Sequence, residues 1–162
     1  MVKSAPTQRR GLVALVGAVA ATALLSFTPA FEGTELSTYR DIAGVLTYCT
    51  GATEDAAWGK KYTPAQCRVQ LDHDLERHAA GIAMCIPLAR LSDGQKVAFV
   101  DVAYNIGVSG FCGSSMARRT NAGDMVGACN ALLMWNKVGG KEVRGLTRRR
   151  QAERELCLKG LS

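Results

Sequence analysis

Glu32, Asp41 and Thr47 form the group of residues whose types and spacing could carry out catalysis together. They stand nine and then six positions apart in a polar, turn-rich stretch, FEGTELSTYRDIAGVLTYCTG, residues 31–51. Cleavage of a glycosidic bond needs two such carboxylic acids. One protonates the leaving oxygen, and the other, ionised, activates or positions a water molecule. The spacing alone is weak evidence, because Glu, Asp and Thr recur by chance at these distances.

The surroundings predict a different role for each of the three residues. Glu32 ends an uncharged run, where loss of hydration would favour the protonated carboxyl. Asp41 lies in a polar turn, where backbone N–H groups can hold the ionised carboxylate. Thr47 offers a small hydroxyl that can hold a water molecule without acting as a base.

Other residue groups predict neither a metal site nor a cofactor site. The run Asp72-His73-Asp74, with Glu76 and His78, lacks the i, i+4 histidine pair of helical zinc sites, so a solvated helix face is the preferred interpretation. Cys49 lies near Thr47, but no base that could activate it as a nucleophile can be named. The sequence contains no phosphate-binding loop and no dinucleotide fingerprint. We therefore expect an enzyme without metal or cofactor.

Residues 11–31, GLVALVGAVAATALLSFTPAF, carry no charge and are long enough to cross a bilayer as a helix. The basic residues Lys3, Arg9 and Arg10 precede the segment and Glu32 follows it, which places the N-terminus in the cytoplasm. More than half of the segment is Ala, Gly, Ser, Thr or Pro, which gain little free energy from lipid. Its insertion would therefore be only weakly favourable, and the segment could leave the membrane.

A cleaved signal peptide is the alternative interpretation of this segment. Thr28-Pro29-Ala30 offers a poor small-x-small cleavage site, and the apolar stretch exceeds the usual core of about 7–15 residues. Cleavage after Ala30 would leave Glu32 beside a frayed terminus, a poor place for a group that must be held still. Retention of the segment is therefore favoured.

The remainder of the chain predicts a small α+β domain. Short strands joined by a turn at Ala43-Gly44 come first, from Thr38 to about Tyr48. Capping boxes then start two helices, one at Thr63 and one at Ser92, and Gly107 is expected to end the second. Asn121 and Thr147 are the expected N-caps of a third and a fourth helix, the last of which closes at Gly160.

The net charge and the cysteine content restrict the kind of binding partner and the cellular compartment. The formal charge of +6 suits an anionic partner such as a membrane surface or a cell-wall polymer, and no motif supports nucleic acid. The run Arg148-Arg149-Arg150 opens the last helix, where cations oppose the helix dipole. Nearby carboxylates could compensate it, or the cluster could be fully solvated. Six cysteines behind an export segment predict disulfides in an oxidising compartment, with 15 possible pairings.

The residues around the three candidates resemble the catalytic segment of the phage-type lysozymes. EGTELSTYRDIAGVLT matches the family pattern of a Glu, eight residues, an Asp, five residues and a Thr. Two further segments resemble the family's buried central helix and C-terminal segment: AYNIGVSGFCGSS at 103–115 and GLTRRRQAERELC at 145–157. After Thr47 the family commonly shows Gly-x-Gly-His, which this chain lacks.

The resemblance implies a lysozyme-like fold, with a small antiparallel sheet lobe beside a mainly helical lobe, and a muramidase activity. Glu32 would be the general acid, Asp41 would position the attacking water, and Thr47 would help to hold that water. The implied reaction is inverting hydrolysis of the β-1,4 bond between N-acetylmuramic acid and N-acetylglucosamine in peptidoglycan. An arginine of the 148–150 cluster would pair with Glu32.

The N-terminal part resembles the signal-anchor-release endolysins of lambdoid phages. It implies a basic cytoplasmic tail at 1–10, a releasable transmembrane segment at 11–31 and a catalytic domain at 32–162. The protein would be held in the inner membrane of the host, with the catalytic domain in the periplasm, and then be released there to lyse the cell. We expect a monomer. The alternatives are a secreted lysozyme with a cleaved signal peptide and an inactive peptidoglycan-binding module.

Overall fold

The computed structural model of the chain describes residues 11–159, so the basic tail at 1–10 and Gly160 lie outside the described residues. Eight α-helices and four β-strands are described within this range. The helices are α1 Leu12–Val16, α2 Ala18–Glu32, α3 Pro64–Ala83, α4 Asp93–Ile106, α5 Val108–Cys112, α6 Ser115–Asn121, α7 Met125–Ala131 and α8 Arg144–Lys159. The strands are β1 Glu35–Arg40, β2 Leu46–Cys49, β3 Lys137–Val138 and β4 Lys141–Glu142.

The predicted strands and turn near the N-terminus are confirmed. Strands β1 and β2 pair antiparallel, with Tyr39 opposite Thr47. The turn between them closes through a hydrogen bond of 2.9 Å from the Gly44 N–H to the Asp41 carbonyl. Gly44 has a φ of 79°, which an L-residue rarely adopts, so glycine suits this turn. The hairpin thereby holds Asp41 at its tip and Thr47 on its second strand.

Both predicted capping boxes are present. Thr63 and Gln66 satisfy each other's backbone N–H groups at the start of α3, and Ser92 and Gln95 do the same at the start of α4. Apolar residues at every fourth position of α3 form a buried face, through Cys67, Leu71, Leu75 and Ala79. Helix α4 ends at Gly107, as predicted.

The two later helix starts differ from the prediction. Asp124, not Asn121, caps α7 by accepting the Gly127 N–H, because α6 continues through Asn121. Helix α8 begins three residues earlier than Thr147. The Thr147 hydroxyl is an acceptor for the Asn136 amide at 3.1 Å and so serves a tertiary contact.

Helix α4 forms the centre of the helical lobe. Its residues Val97–Ala103 are all buried, and α2, α3 and α8 pack around it. Phe99 on α4 meets Phe111 on α5 with ring centroids 5.4 Å apart and planes inclined at 53°, a favourable tilted geometry. The exception to the apolar character of Val97–Ala103 is Asp101, whose side chain is fully buried.

The N-terminal segment packs on the helical lobe as two helices. Helices α1 and α2 meet at Gly17, which has φ 85° and ψ 162°. The inward face of the segment joins the main hydrophobic core through five side chains, those of Leu12, Val16, Ala20, Ala21 and Leu24. Within residues 11–159, no helix combines the length and the apolar character needed to cross a membrane.

All six cysteines form disulfides, as their number and setting predicted, and each pairs with its neighbour in sequence. Cys49–Cys67 joins β2 to α3, Cys85–Cys112 joins the segment after α3 to α5, and Cys129–Cys157 joins α7 to α8. The pairing could not be predicted, since it depends on which elements pack together.

Candidate active site

Glu32 is the last residue of α2, where the helix ends at Gly33. Its carboxylate Oε1 accepts a hydrogen bond from a terminal nitrogen of Arg149, the middle arginine of the predicted cluster. The surroundings are therefore not the apolar ones that the preceding uncharged run predicted. The Glu32 side chain remains 25% exposed, and a guanidinium contacts it. In the part of the chain described here Oε2 accepts no hydrogen bond, so this oxygen is available to a substrate.

Arg149 is held in place by a buried carboxylate on α4. Its Nε donates to Asp101 Oδ2 at 2.9 Å, and a terminal nitrogen donates to Asp101 Oδ1 at 3.1 Å. The guanidinium carbon also lies 5.7 Å from the ring centre of Phe31. Burial alone would lower the pKa of Arg149, but Asp101 and Glu32 outweigh it and raise that pKa. Arg149 is therefore a fixed cation.

Asp101, the buried carboxylate that Arg149 contacts, is ionised. Burial alone would raise its pKa, but hydrogen bonds involving Glu153, Arg149 and Thr28 hold the pKa below its ordinary value. Burial raises the pKa of the neighbouring Glu153 instead, and the interaction with Asp101 adds to that rise. Asp101 is thus the ionised partner of Arg149, and Glu153 favours its neutral form.

The sequence left open whether the arginine cluster lies beside carboxylates or in solvent, and the structure shows both. Arg149 and Arg150 are buried among carboxylates, and the Nε of Arg150 lies 2.8 Å from Glu153 Oε2. Arg148 is exposed. The ionised Asp101 therefore compensates the charge of Arg149, and Arg150 donates a hydrogen bond to Glu153.

Asp41 and Thr47 are organised around the backbone of Val45. Asp41 Oδ1 accepts the Val45 N–H at 2.8 Å, so a backbone N–H does hold this carboxylate, as the polar turn predicted. The Thr47 hydroxyl donates to the Val45 carbonyl at 3.0 Å, and its lone pairs can still accept a hydrogen bond from water. The Thr47 side chain is buried within the sheet lobe, and Asp41 is half-buried at the turn.

Two cavities open on either side of Glu32. One, of about 530 Å³, is lined on the sheet-lobe side by residues 51–54 and on the helical side by Asp74, Arg77, His78 and Tyr104. The other, of about 460 Å³, is lined by residues from α2 and α8, among them Phe31 and Arg148. Glu32 and Asn105 line both. An extended polymer could therefore pass over Glu32, whereas Asp41 and Thr47 line neither cavity.

Several lining residues were not found from the sequence. Asp74 and His78 were interpreted as a solvated helix face, yet Asp74 is 5% exposed and accepts hydrogen bonds from Gln70 and Arg77. His78 Nδ1 lies 2.6 Å from the Asp74 carbonyl oxygen. Their position on the cavity depends on how the two lobes face each other, which helical periodicity does not report.

Tyr104 joins the two lobes beside Glu32. Its hydroxyl donates to the backbone carbonyl of Thr50 in the sheet lobe, and its ring packs against that of His78 with centroids 5.2 Å apart. Burial raises the pKa of Tyr104, and the nearby charges of Asp74 and Glu32 raise it further. The phenol therefore stays protonated and serves as a donor between the lobes.

Most of the chain matches one family of known proteins. The family model described as "Phage lysozyme" matches residues 29–153, which include the three candidates and the arginine cluster. The SAR-endolysin of Enterobacteria phage P21 is 37% identical over 162 residues, covering 96% of this chain and 98% of the phage protein.

Solved structures agree with this match. The active form of the P1 phage endolysin Lyz superimposes with a TM-score of 0.80 at 25% identity and covers 93% of each chain. The secreted inactive form of the same endolysin has a TM-score of 0.58 at 21% identity, covering 88% of this chain and 96% of its own. The predicted lysozyme-like α+β fold is confirmed, and the chain belongs to the phage lysozyme family.

Proposed function

We propose that the chain is a phage endolysin, a muramidase that hydrolyses the β-1,4 bond between N-acetylmuramic acid and N-acetylglucosamine of peptidoglycan. The observation that carries the proposal is the position of Glu32. It lies where two cavities meet, with Oε1 fixed by Arg149 and Oε2 available. A glycan strand lying in both cavities would bring a glycosidic oxygen over this carboxyl group.

In this proposal the three predicted residues have distinct tasks. Glu32 donates a proton to the leaving glycosidic oxygen, and Asp41 positions the water that attacks the anomeric carbon. Thr47 accepts a hydrogen bond from that water while its own hydroxyl keeps donating to the Val45 carbonyl. Inversion of the anomeric centre is expected, for which carboxyl groups about 6.5–9.5 Å apart leave room for the water.

Residues 11–31 are proposed to have a second state, as a single helix that crosses the inner membrane of the host. The tail at 1–10 would stay in the cytoplasm and residues 32–162 would lie in the periplasm. The segment's lack of charge and its small residues support reversible insertion, and relatives along nearly the whole chain are named SAR-endolysins. The segment as described here, docked on the helical lobe, would then be the released state.

The proposed tether also controls activity. While 11–31 spans the bilayer, Glu32 is held at the membrane surface, and α2 cannot pack against α4 and α8 to bring Glu32 to Arg149. The better superposition on the active form of the P1 endolysin than on its secreted inactive form supports an active, docked arrangement here. Release into the periplasm would therefore complete the site.

Two alternatives are less well supported. Cleavage after Ala30 would remove Leu12, Val16 and Leu24, all of which are essentially fully buried. Burial of each such side chain contributes about 1.5–3 kcal/mol, and the whole domain has a stability of only about 5–15 kcal/mol. A domain without this segment would lose much of that margin. An inactive binding module would not need Glu32, Asp41 and Thr47 in their present arrangement.

Digestion of purified peptidoglycan by the full-length chain tests the enzymatic proposal. New reducing ends on N-acetylmuramic acid are expected from the wild type and not from Glu32→Gln. The exposed Glu35→Gln variant on β1 is the matched control and should cut at the wild-type rate. Reducing ends on N-acetylglucosamine, or peptide cleavage, would overturn the assigned reaction. Sedimentation of the soluble enzyme should give the mass of a monomer.

A further inference from the structure

Thr28 is a buried polar residue inside the N-terminal segment, four positions before Glu32 on α2. Its hydroxyl donates to Asp101 Oδ1 at 2.7 Å, and both side chains are buried. A hydroxyl removed from water destabilises the fold unless it is hydrogen bonded, so this contact with a carboxylate is what makes its burial tolerable.

A series of hydrogen bonds joins Thr28 to the carboxyl group of Glu32. Asp101 accepts from Thr28 and from two nitrogens of Arg149, and the third nitrogen of the same guanidinium donates to Glu32. The series of hydrogen bonds leaves α2 at Thr28, passes through α4 and α8, and returns to α2 at Glu32. Thr28 and Glu32 occupy one face of the helix, since residues four positions apart are neighbours there.

The orientation of Arg149 depends on this arrangement. The plane of the guanidinium is set by Asp101, which it contacts through two nitrogens. Asp101 Oδ1 is shared between Arg149 and Thr28, so the hydroxyl, together with the hydrogen bond that involves Glu153, fixes the rotation of the carboxylate about its Cβ–Cγ bond. Loss of that donor would let Asp101 and Arg149 turn together, and Glu32 would turn with them.

We propose that Thr28 is a positioning residue for the general acid, and that its hydroxyl makes the orientation of Glu32 depend on docking of the N-terminal segment. The proposal rests on the proposed function, in which Glu32 protonates the leaving group. It adds a requirement that packing alone does not impose: an apolar residue of the same shape at 28 would dock but would not orient the acid.

Kinetics of purified, soluble full-length variants on solubilised, uncross-linked glycan strands test this. Thr28→Val keeps the shape of the side chain and removes the donor, and Thr28→Ser restores the donor. Thr22→Val, at an exposed position on the same helix, is the matched control. Small misplacements of a catalytic group cost up to about 100-fold in rate. We expect kcat to fall at least about tenfold in Thr28→Val at a KM within about twofold of wild type, with most of the loss recovered in Thr28→Ser.

A double-mutant comparison separates positioning from loss of fold. If Thr28 acts through Asp101, then Thr28→Val added to Asp101→Asn should lower kcat little further, because the two residues act in one series. Rates are expressed per folded molecule, with the folded fraction taken from circular dichroism at the assay temperature. Wild-type kcat in Thr28→Val, a loss that Thr28→Ser does not recover, or multiplying losses in the double variant would each overturn the proposal. Absence of activity in the wild type would instead overturn the proposed function.

Discussion

Arg149 donates to Glu32 although 117 positions separate them in the chain, and the same guanidinium is held by the buried carboxylate of Asp101. Lysine at 149 would keep the charge but could not donate to both acids in this fork geometry. We expect Arg149→Lys to lower kcat about 100-fold in assays of peptidoglycan digestion. Arg154→Lys is the control, because Arg154 is half-buried on the same helix and donates to Asn130 rather than to the site residues, and this variant should digest peptidoglycan like the wild type. Equal rates in both variants would show that the fork geometry is not needed.

The link of Asp41 and Thr47 through Val45 predicts different losses for the two residues. Asparagine at 41 can still accept the Val45 N–H but lacks the charge that orients water, so Asp41→Asn should keep its thermal midpoint and lose activity by at least about 100-fold. Thr47→Val removes one water ligand and should lose less. Activity assays and thermal unfolding of both variants check the order. A larger loss in Thr47→Val than in Asp41→Asn would contradict the assigned roles.

The Cys49–Cys67 disulfide anchors the strand that carries Thr47, since Cys49 lies two positions further along β2. Closure of a loop of 18 residues stabilises the fold by about 3 kcal/mol in the chain-entropy model. The variant Cys49→Ala/Cys67→Ala should therefore unfold at lower denaturant concentration, and it should lose activity per folded molecule. Cys85→Ala/Cys112→Ala, whose disulfide lies away from the sheet lobe, should lose stability with little change in activity per folded molecule.

The break at Gly17 predicts a residue that distinguishes the docked from the membrane-spanning segment. Its φ of 85° and ψ of 162° lie in a region that is nearly restricted to glycine. Alanine there costs about 1–3 kcal/mol in the docked form, and it favours a continuous helix by about 1 kcal/mol. Gly17→Ala should increase the membrane-bound fraction of the full-length chain, measured by fractionation.

Gly59→Ala is the matched control for this substitution, because Gly59 has a φ of 77° but lies in the sheet lobe. It should lower stability and leave the partition between membrane and soluble fractions unchanged. The same partition for wild type and Gly17→Ala would contradict the role assigned to the helix break.

Glu153 predicts a dependence of stability on pH. Its pKa is raised in the folded state by burial and by Asp101, although Arg149 and Arg150 lie close to it. The unfolded chain therefore releases this proton first, at a pKa of about 4.3. The contribution of Glu153 to stability is complete below that pH and is lost as pH rises toward the folded pKa. The lowered pKa of Asp101 acts in the opposite sense, with stability lost only as pH falls below about 4.

Urea unfolding between pH 4 and 8 isolates this effect. Glu153→Gln should remove the fall of unfolding free energy above about pH 4.3, because glutamine does not titrate. Glu155→Gln, exposed on the same helix, should keep it. An unchanged pH slope in Glu153→Gln would show that this carboxyl is ionised in the fold.

Local features could be predicted well from the sequence. The other features depend on tertiary packing and could not be predicted. Capping boxes at Thr63 and Ser92 use only neighbouring residues, so their chemistry is visible in the chain itself. Which of the three arginines contacts Glu32 depends on which face of α8 packs against α4. Asp101 could have been noticed, because it is the one acidic or basic residue between Lys96 and Arg118 and so an isolated charge in an apolar helix. Its role as the partner of Arg149 needed the fold.

The functional prediction came from the match of residues 32–47 to a family pattern, since spacing alone was weak evidence. The contacts by which residues 11–31 pack on the helical lobe could not be predicted, because an uncharged stretch of small and aliphatic residues suits both a bilayer and a protein core. Gly17 and the buried Thr28 are the features that fit the docked state, and neither stands out in the sequence.

The most direct test of the proposed tether and release uses bacteria that express the full-length chain. Its N-terminal mass and muramidase activity are followed in membrane and soluble fractions before and after the membrane potential is collapsed. The account predicts an inactive, full-length membrane pool that becomes an active, full-length soluble one. A soluble, active species already shortened near residue 30 would contradict it, because that enzyme would work without the segment that carries Thr28.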